Sequence, residues 1–244
     1  MRNTVIVLKR EMASYFATPL AYVFIVIYLA LSGAFTFYLG NFFERDQADL
    51  QAFFSLQPWV YLVLVPAVSM RLWAEERKTG TIELFMTLPI TLPQAVLGKF
   101  LAAWAFTIIA IALTFPIWLT VNYLGNPDNG AILAGYIGCA MMAGGYLAIG
   151  GFISATTKNQ VIAFVLTTTL CFVFTAMSAP VVMGLFSGWA PAAVLDFLRT
   201  LGFMYHFNDI SKGVIDIRDV VFFSTVIALF LFLNAVVVQQ RKAN

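Results

Sequence analysis

The sequence predicts an all-α membrane protein with six transmembrane helices, and three observations support this fold class. Of the 244 residues, 61% are hydrophobic and 11% are charged, whereas an ordinary soluble domain is about 25% charged. The mean hydropathy is +0.88. Six uncharged apolar stretches follow one another along the chain, most of them near the roughly 20 residues that a helix needs to cross a bilayer. These stretches leave only short connections, so we treat residues 1–244 as a single transmembrane domain without room for a catalytic domain.

Residues 1–19 precede the first apolar stretch and do not resemble a cleaved secretory signal, because Lys9, Arg10 and Glu11 interrupt their apolar residues. We predict an amphipathic helix that lies on the membrane surface and ends near Thr18 and Pro19. Packing of its apolar face on the protein's own bundle is the alternative. The residues of that face recur at helical spacing and are Val5, Leu8, Met12 and Phe16.

The apolar stretches predict the spans in chain order. The second is short, but Phe53 and Phe54 before it and Leu72 and Trp73 after it extend it to span length. Six spans place both termini on the same side of the membrane. The stretches are residues 20–40, 57–70, 100–121, 131–155, 161–186 and 220–238.

The basic residues predict the orientation, because cytoplasmic loops carry an excess of Lys and Arg. With cytoplasmic termini, ten basic residues lie inside and four outside. We therefore expect a multi-pass protein of the inner (plasma) membrane with both termini in the cytoplasm. The inner ten are Arg2, Lys9, Arg10, Arg71, Arg77, Lys78, Lys99, Lys158, Arg241 and Lys242, and the outer four are Arg45, Arg199, Lys212 and Arg218.

Several function classes are disfavoured. No Lys, Arg, Asp, Glu or His lies in the central part of a span, which argues against ion-coupled carriers and intramembrane enzymes. His206 is the only histidine, so we expect it to form structural hydrogen bonds and predict no metal site. The Gly98-Lys99 pair lacks the remainder of a phosphate-binding loop. The net charge of +2 gives no indication of nucleic-acid binding. We therefore predict that the protein is not an enzyme. If ATP drives it, we expect another chain to hydrolyse that ATP.

The segment 71–99 between the second and third spans contains the densest group of charges, Glu75 to Lys78. Gly80 suits a helix end, and Thr81 with Glu83 can begin a short apolar helix that stops before Pro89. The segment predicts a short helix presented to the cytosol. A solvated hairpin between two spans is the alternative.

The fifth apolar stretch carries small residues on one helical face, and such faces let helices approach closely in lipid. One interpretation is tight packing within the chain. The other is a subunit interface or a wall of a substrate path. The residues concerned are Ala163, Thr167, Cys171, Thr175 and Ser178.

Residues 187–217, the outer segment, form an amphipathic stretch before the last span. Aromatic residues favour the membrane interface, so the stretch either lies flat there or dips back as a gate. The candidate gate residues are Trp189, Leu195, Leu198 and Tyr205.

These motifs resemble the permease subunits of ABC-2-type transporters. The resemblance rests on Lys9-Arg10-Glu11, on Pro19-Leu20-Ala21-Tyr22, on the run from Glu75 to Glu83 and on Thr87-Leu88-Pro89-Ile90. It extends over essentially the whole chain and is strongest for the gliding-motility and nitrous-oxide-reductase-maturation branches.

The resemblance implies a six-helix permease that pairs with a second copy or a paralogue in the bilayer. Two cytoplasmic ABC ATPase subunits would bind ATP and Mg²⁺ and drive export, and an outer-face accessory protein is a further possible partner. The alternative is a membrane anchor or scaffold of an ATPase-driven envelope assembly or motility machine. Residues carried over as the ATPase-coupling contact are Glu75, Glu76, Arg77, Lys78, Thr79, Gly80, Thr81, Ile82, Glu83, Lys158 and Asn159.

Overall fold

The structure, a computed structural model, describes residues 2–45, 47–80, 90–186, 188 and 190–240. Within these ranges every regular element is helical and no strand occurs, which confirms the predicted all-α class. The predicted short helix after Gly80 lies outside the described residues. The helices are α1 (Arg2–Ala17), α2 (Pro19–Ala34, continued by a π-helical turn Phe35–Leu39), α3 (Gln51–Ser69), α4 (Arg71–Thr79), α5 (Leu92–Ala112), α6 (Phe115–Leu124), α7 (Asn129–Thr156), α8 (Gln160–Ala176), α9 (Pro180–Phe186), α10 (Ala192–Leu201), α11 (Phe203–Ser211) and α12 (Ile217–Gln240).

Five helical segments among the described residues are long and apolar enough to cross a membrane, and the number is six if the bent pair of α8 and α9 forms one broken span. The fifth apolar stretch is therefore not one straight helix, because its two parts meet at an angle of 75°. Pro180 begins the second part, where its ring disfavours a helical conformation in the preceding residue. The five continuous segments are Pro19–Leu39, Gln51–Thr79, Leu92–Leu124, Asn129–Thr156 and Ile217–Gln240.

The second span extends beyond its apolar stretch as the sequence predicts. Phe53, Phe54, Leu72 and Trp73 all lie in helix and are buried. Because only Met70 separates α3 from α4, the charged residues of α4 continue directly from a membrane span.

Helix α1 packs along α5. Val7 is 2% exposed, and a Cβ placed on Gly98 of α5 would lie 2.7 Å from the Val7 Cβ. Tyr15 stacks on Phe106 with ring centroids 5.1 Å apart. The predicted apolar face differs in one respect, since Val5 is exposed. The structure thus shows the alternative in which α1 packs on the bundle.

Helix α7 is the centre of the bundle and contacts α3, α4, α5, α8, α11 and α12. Gly150 allows the closest approach, because a Cβ there would lie 2.5 Å from Ser69 Cβ on α3 and 3.1 Å from Thr167 Cγ2 on α8. Three helices therefore meet at a position that has no room for a side chain.

The outer segment divides into two differently placed helices. Helix α11 packs inside the bundle, where Phe203, Phe207 and Ile210 are fully buried. Phe203 stacks on Tyr146 of α7 and Phe174 of α8, with centroids 5.5 Å apart in each pair. Helix α10 has no buried residue, so the two helices of the outer segment differ in burial.

Candidate coupling site

Helices α1 and α4 and the turn 157–159 after α7 lie at one end of the bundle, which we call the charged end. Ser154 of α7 fixes α4 there, because its Oγ accepts hydrogen bonds from the backbone N–H groups of Trp73 and Ala74, each 3.0 Å away. The same hydroxyl donates to Met70 O at 2.9 Å. One buried side chain thus satisfies the backbone groups that the break between α3 and α4 leaves free.

Arg77 joins α4 to the end of α7. Its Nη1 donates a 2.7 Å hydrogen bond to Ala155 O, a carbonyl of the last turn, where a helix favours positive charge. The turn that follows is ordered by Asn159, whose Oδ1 accepts a 2.9 Å hydrogen bond from Val161 N and caps α8. The structure therefore brings together the two segments predicted to contact an ATPase.

Four charged residues, Arg10, Glu11, Glu76 and Lys99, form a charge clasp between α1, α4 and α5. Lys99 Nζ lies 2.8 Å from Glu76 Oε1 and 3.3 Å from Glu11 Oε1, and its side chain is 3% exposed. Arg10 Nη2 lies 2.5 Å from Glu11 Oε1. The Lys99 ammonium also lies 5.2 Å from the ring centroid of Trp73. The clasp holds the amphipathic helix and α4 to the same span.

The clasp determines the ionisation of Glu11. Burial by itself raises the pKa of this carboxyl, but the Lys99 ammonium and the Arg10 guanidinium outweigh burial, so the pKa lies below its ordinary value of 4.5. A lowered folded-state pKa stabilises the protein above the ordinary pKa, and this contribution is lost as the pH falls through the lowered value.

Replacing Glu11 with glutamine is expected to lower the free energy of unfolding by about 1 kcal/mol at neutral pH, since a charge-assisted hydrogen bond is lost. The deficit should shrink as the pH falls below the ordinary value of 4.5 and through the lowered pKa, because the wild-type carboxylate is then protonated as well. Thermal unfolding in detergent across this range measures the difference. A deficit that stays constant with pH would contradict the assigned ionisation.

The remaining candidate coupling residues are more accessible. Lys78, Thr79, Gly80, Lys158 and Asn159 are exposed. Gly80 ends α4 with φ +72°, a left-handed conformation that suits glycine.

Glu75 is intermediate in exposure between the buried residues of the charge clasp and the exposed candidate coupling residues. It pairs with Arg71 at 2.8 Å, and its side chain is 43% exposed. Glu76 and Arg77, which the resemblance also assigns to the ATPase contact, are half-buried and bind Lys99 and Ala155 of the bundle. Thr81, Ile82 and Glu83 lie outside the described residues.

A family model for the ABC-2 family transporter protein matches residues 5–242. The chain belongs to the ABC-2 transporter family. No curated protein matches the chain significantly. The family and the apolar helices together make the chain a multi-pass membrane permease, the membrane subunit of a transporter.

The small-residue face of α8 lies within this permease chain. Ala163, Thr167, Cys171 and Thr175 have no exposed surface, and the Thr175 hydroxyl contacts the Tyr146 hydroxyl of α7. The single chain therefore uses this face for packing on α7. A role in a subunit contact or a substrate path stays a prediction.

Ser178 and the candidate gate residues lie elsewhere in the permease. Ser178 packs closely against Gly202 at the start of α11. Leu195 and Leu198 are half-buried on one side of α10, and Tyr205 is half-buried with the Arg199 guanidinium 5.1 Å from its ring centroid. Trp189 lies outside the described residues.

The charge clasp is not predicted from the sequence, which places Arg10 and Glu11 in the N-terminal helix and Glu76 and Lys99 in segment 71–99 without a contact between them. The available signal was Lys99, a cation placed immediately before an uncharged span. A buried ammonium needs an anionic partner, and the candidates on the predicted cytoplasmic side are Glu11, Glu75, Glu76 and Glu83.

Proposed function

We propose that this ABC-2 permease works as a pair, with a second copy or a paralogue, on two separate ABC ATPase subunits and exports a substrate across the inner membrane. The observation that supports this proposal is that α4 is joined to the end of α7, immediately before the turn 157–159, at the charged end. Exposed Lys78 and Lys158 accompany the two joined segments and provide positive charge for a partner surface.

The contacts of α4 suggest how ATPase movement would reach the spans. A push on α4 acts on α7 through Ser154 and Arg77, and on α5 and α1 through Lys99. Because α7 contacts most of the bundle, its displacement changes the packing of several spans at once. ATP and Mg²⁺ would be bound by the ATPase subunits. This chain would transmit their movement through α4 and would form the substrate path with its spans.

Co-purification with the ABC ATPase encoded nearest to the permease gene tests this proposal. We expect a complex whose ATP hydrolysis depends on the permease and rises with transported substrate after reconstitution in liposomes. Absence of a complex would contradict the proposal. A stable complex with outer-face proteins and no substrate-dependent rise would favour the scaffold alternative.

Thiol labelling from outside the cell tests the predicted orientation, in which both termini are cytoplasmic. Lys158→Cys and Lys212→Cys place single exposed thiols at the two ends of the bundle, while the native Cys139 and Cys171 are buried. In intact cells a membrane-impermeant maleimide is expected to label the Lys212→Cys protein alone, and both variants after permeabilisation. Labelling of Lys158→Cys in intact cells would contradict cytoplasmic termini.

A further inference from the structure

His206 joins three helices at the end of the bundle opposite α4. Its Nδ1 lies 2.6 Å from Asp219 Oδ1 on α12, and its Nε2 lies 2.9 Å from the backbone oxygen of Thr200 on α10. The two side chains are 8% and 5% exposed. The ring also stacks on Phe222, with centroids 4.0 Å apart. The exposed helix α10 is therefore attached to α11 and α12 through one imidazole.

The proton count of this site follows from its geometry. A carbonyl oxygen only accepts hydrogen bonds, so Nε2 must carry a proton to bind Thr200. A second proton must lie between Nδ1 and Asp219 Oδ1, because two lone pairs cannot face each other at hydrogen-bond distance. The pair thus contains either an imidazolium with a carboxylate or a neutral imidazole with a protonated carboxyl.

Removing one proton breaks one of the two contacts. If the remaining proton stays on Nδ1 beside the Asp219 carboxylate, the Nε2 lone pair faces the Thr200 oxygen and the link to α10 is lost. This arrangement is favoured because a charge-assisted bond is about twice as strong as a neutral one.

Few other titratable or charged groups lie close to His206 and Asp219. Helices α3, α7 and α8, which pack against α11, contain no Asp, Glu, Lys, Arg or His, so their titratable side chains are tyrosines and cysteines. Tyr205 lies edge-on to the imidazole at 5.1 Å. Asp219 Oδ2 is buried without a hydrogen-bond partner among the described residues. Apart from the pair itself, the charged side chains of α10, α11, α12 and the connecting loop are exposed and are Asp196, Arg199, Asp209, Lys212, Asp216 and Arg218.

We propose that the His206–Asp219 pair is a proton-binding site that controls the outer segment. With the proton bound, His206 holds α10 against the bundle. Loss of the proton as the pH rises frees Thr200 and lets α10 move away, while α11 remains anchored by its buried face. This inference does not depend on the ATPase partner.

Thiol labelling of α10 tests the site. Leu195→Cys places a reporter on the half-buried side of α10. In Asp219→Asn, the amide can donate to Nδ1 at every pH, so His206 stays bound to Thr200. Dividing the reporter's maleimide labelling rate by that of the Asp219→Asn protein at each pH cancels the reagent's own pH dependence. We expect this ratio to rise about fivefold from the lowest to the highest pH at which the protein stays folded, the effect of one hydrogen bond.

Two further variants complete the test. His206→Phe can keep the stack on Phe222 but removes both hydrogen bonds, so labelling should be high at every pH. Asp209→Asn changes an exposed carboxylate of the same helix and should behave like the parent. A ratio that does not change with pH would overturn the proposal, as would His206→Phe labelling at the parent's low-pH rate. If His206→Phe does not fold, the Asp219→Asn ratio decides alone.

Discussion

Replacing Lys99 with methionine is expected to destabilise the permease by about 3 kcal/mol, because two largely buried carboxylates lose their buried cation and keep only the more exposed Arg10. Lys99 is the buried cation of the charge clasp and pairs with both Glu11 and Glu76. Arg10 pairs with the same two carboxylates, but its side chain is 48% exposed. For a chain of this length the loss corresponds to a fall of roughly 10 °C in the melting temperature. Thermal unfolding of the detergent-purified protein measures it.

Two comparisons separate this effect from a general loss of charge. Lys9→Met removes an exposed lysine from α1 and should change the melting temperature little. Adding Glu11→Gln and Glu76→Gln to Lys99→Met should restore much of the loss, since a buried ion pair can be replaced by neutral groups at small cost. If Lys99→Met is as stable as Lys9→Met, the clasp does not hold α1 and α4.

The second large effect is expected at Gly150, where α3, α7 and α8 meet. Gly150→Ala adds one carbon that overlaps Ser69 and comes within 3.1 Å of Thr167. Overpacking of this kind costs about 1–3 kcal/mol, so we expect a lower melting temperature and loss of a monodisperse size-exclusion peak.

Gly33→Ala is the matched control, because a Cβ on Gly33 of α2 meets nothing within 4 Å. Alanine favours helix over glycine by about 1 kcal/mol, so this variant should be as stable as the wild type or more so. Equal behaviour of the two variants would mean that the three helices are farther apart than the structure shows.

The sequence predicted the fold class and the spans because both depend on properties that are local in the chain. Apolar stretches free of charge can satisfy their backbone groups in lipid only as helices, and the helices occupy the predicted stretches. The sequence analysis treats residues 161–186 as a single span, although Pro180 marks the position of the bend between α8 and α9. The buried face of α11 also left a signal, since Phe203, Phe207 and Ile210 recur at helical spacing.

The candidate site could be predicted only in part, because its contacts join residues far apart in sequence. The cluster from Glu75 to Lys78 was found as a charged segment, but a helix distributes consecutive residues around its axis. Glu76 and Arg77 consequently face the bundle, whereas Lys78 faces away. The side chains that face the bundle are those that find a partner there. Glu76 pairs with Lys99 of α5, and Arg77 binds Ala155 of α7.

Paired charge reversals test most directly whether the charged end binds a separate ATPase. One variant carries Lys78→Glu with Lys158→Glu at the charged end. The other carries Lys212→Glu with Arg218→Glu at the opposite end, and all four side chains are exposed. We expect the first variant to retain about tenfold less of the co-expressed ATPase and the second to retain as much as wild type. Undiminished binding by the first variant, or an equal loss in the second, would contradict the account.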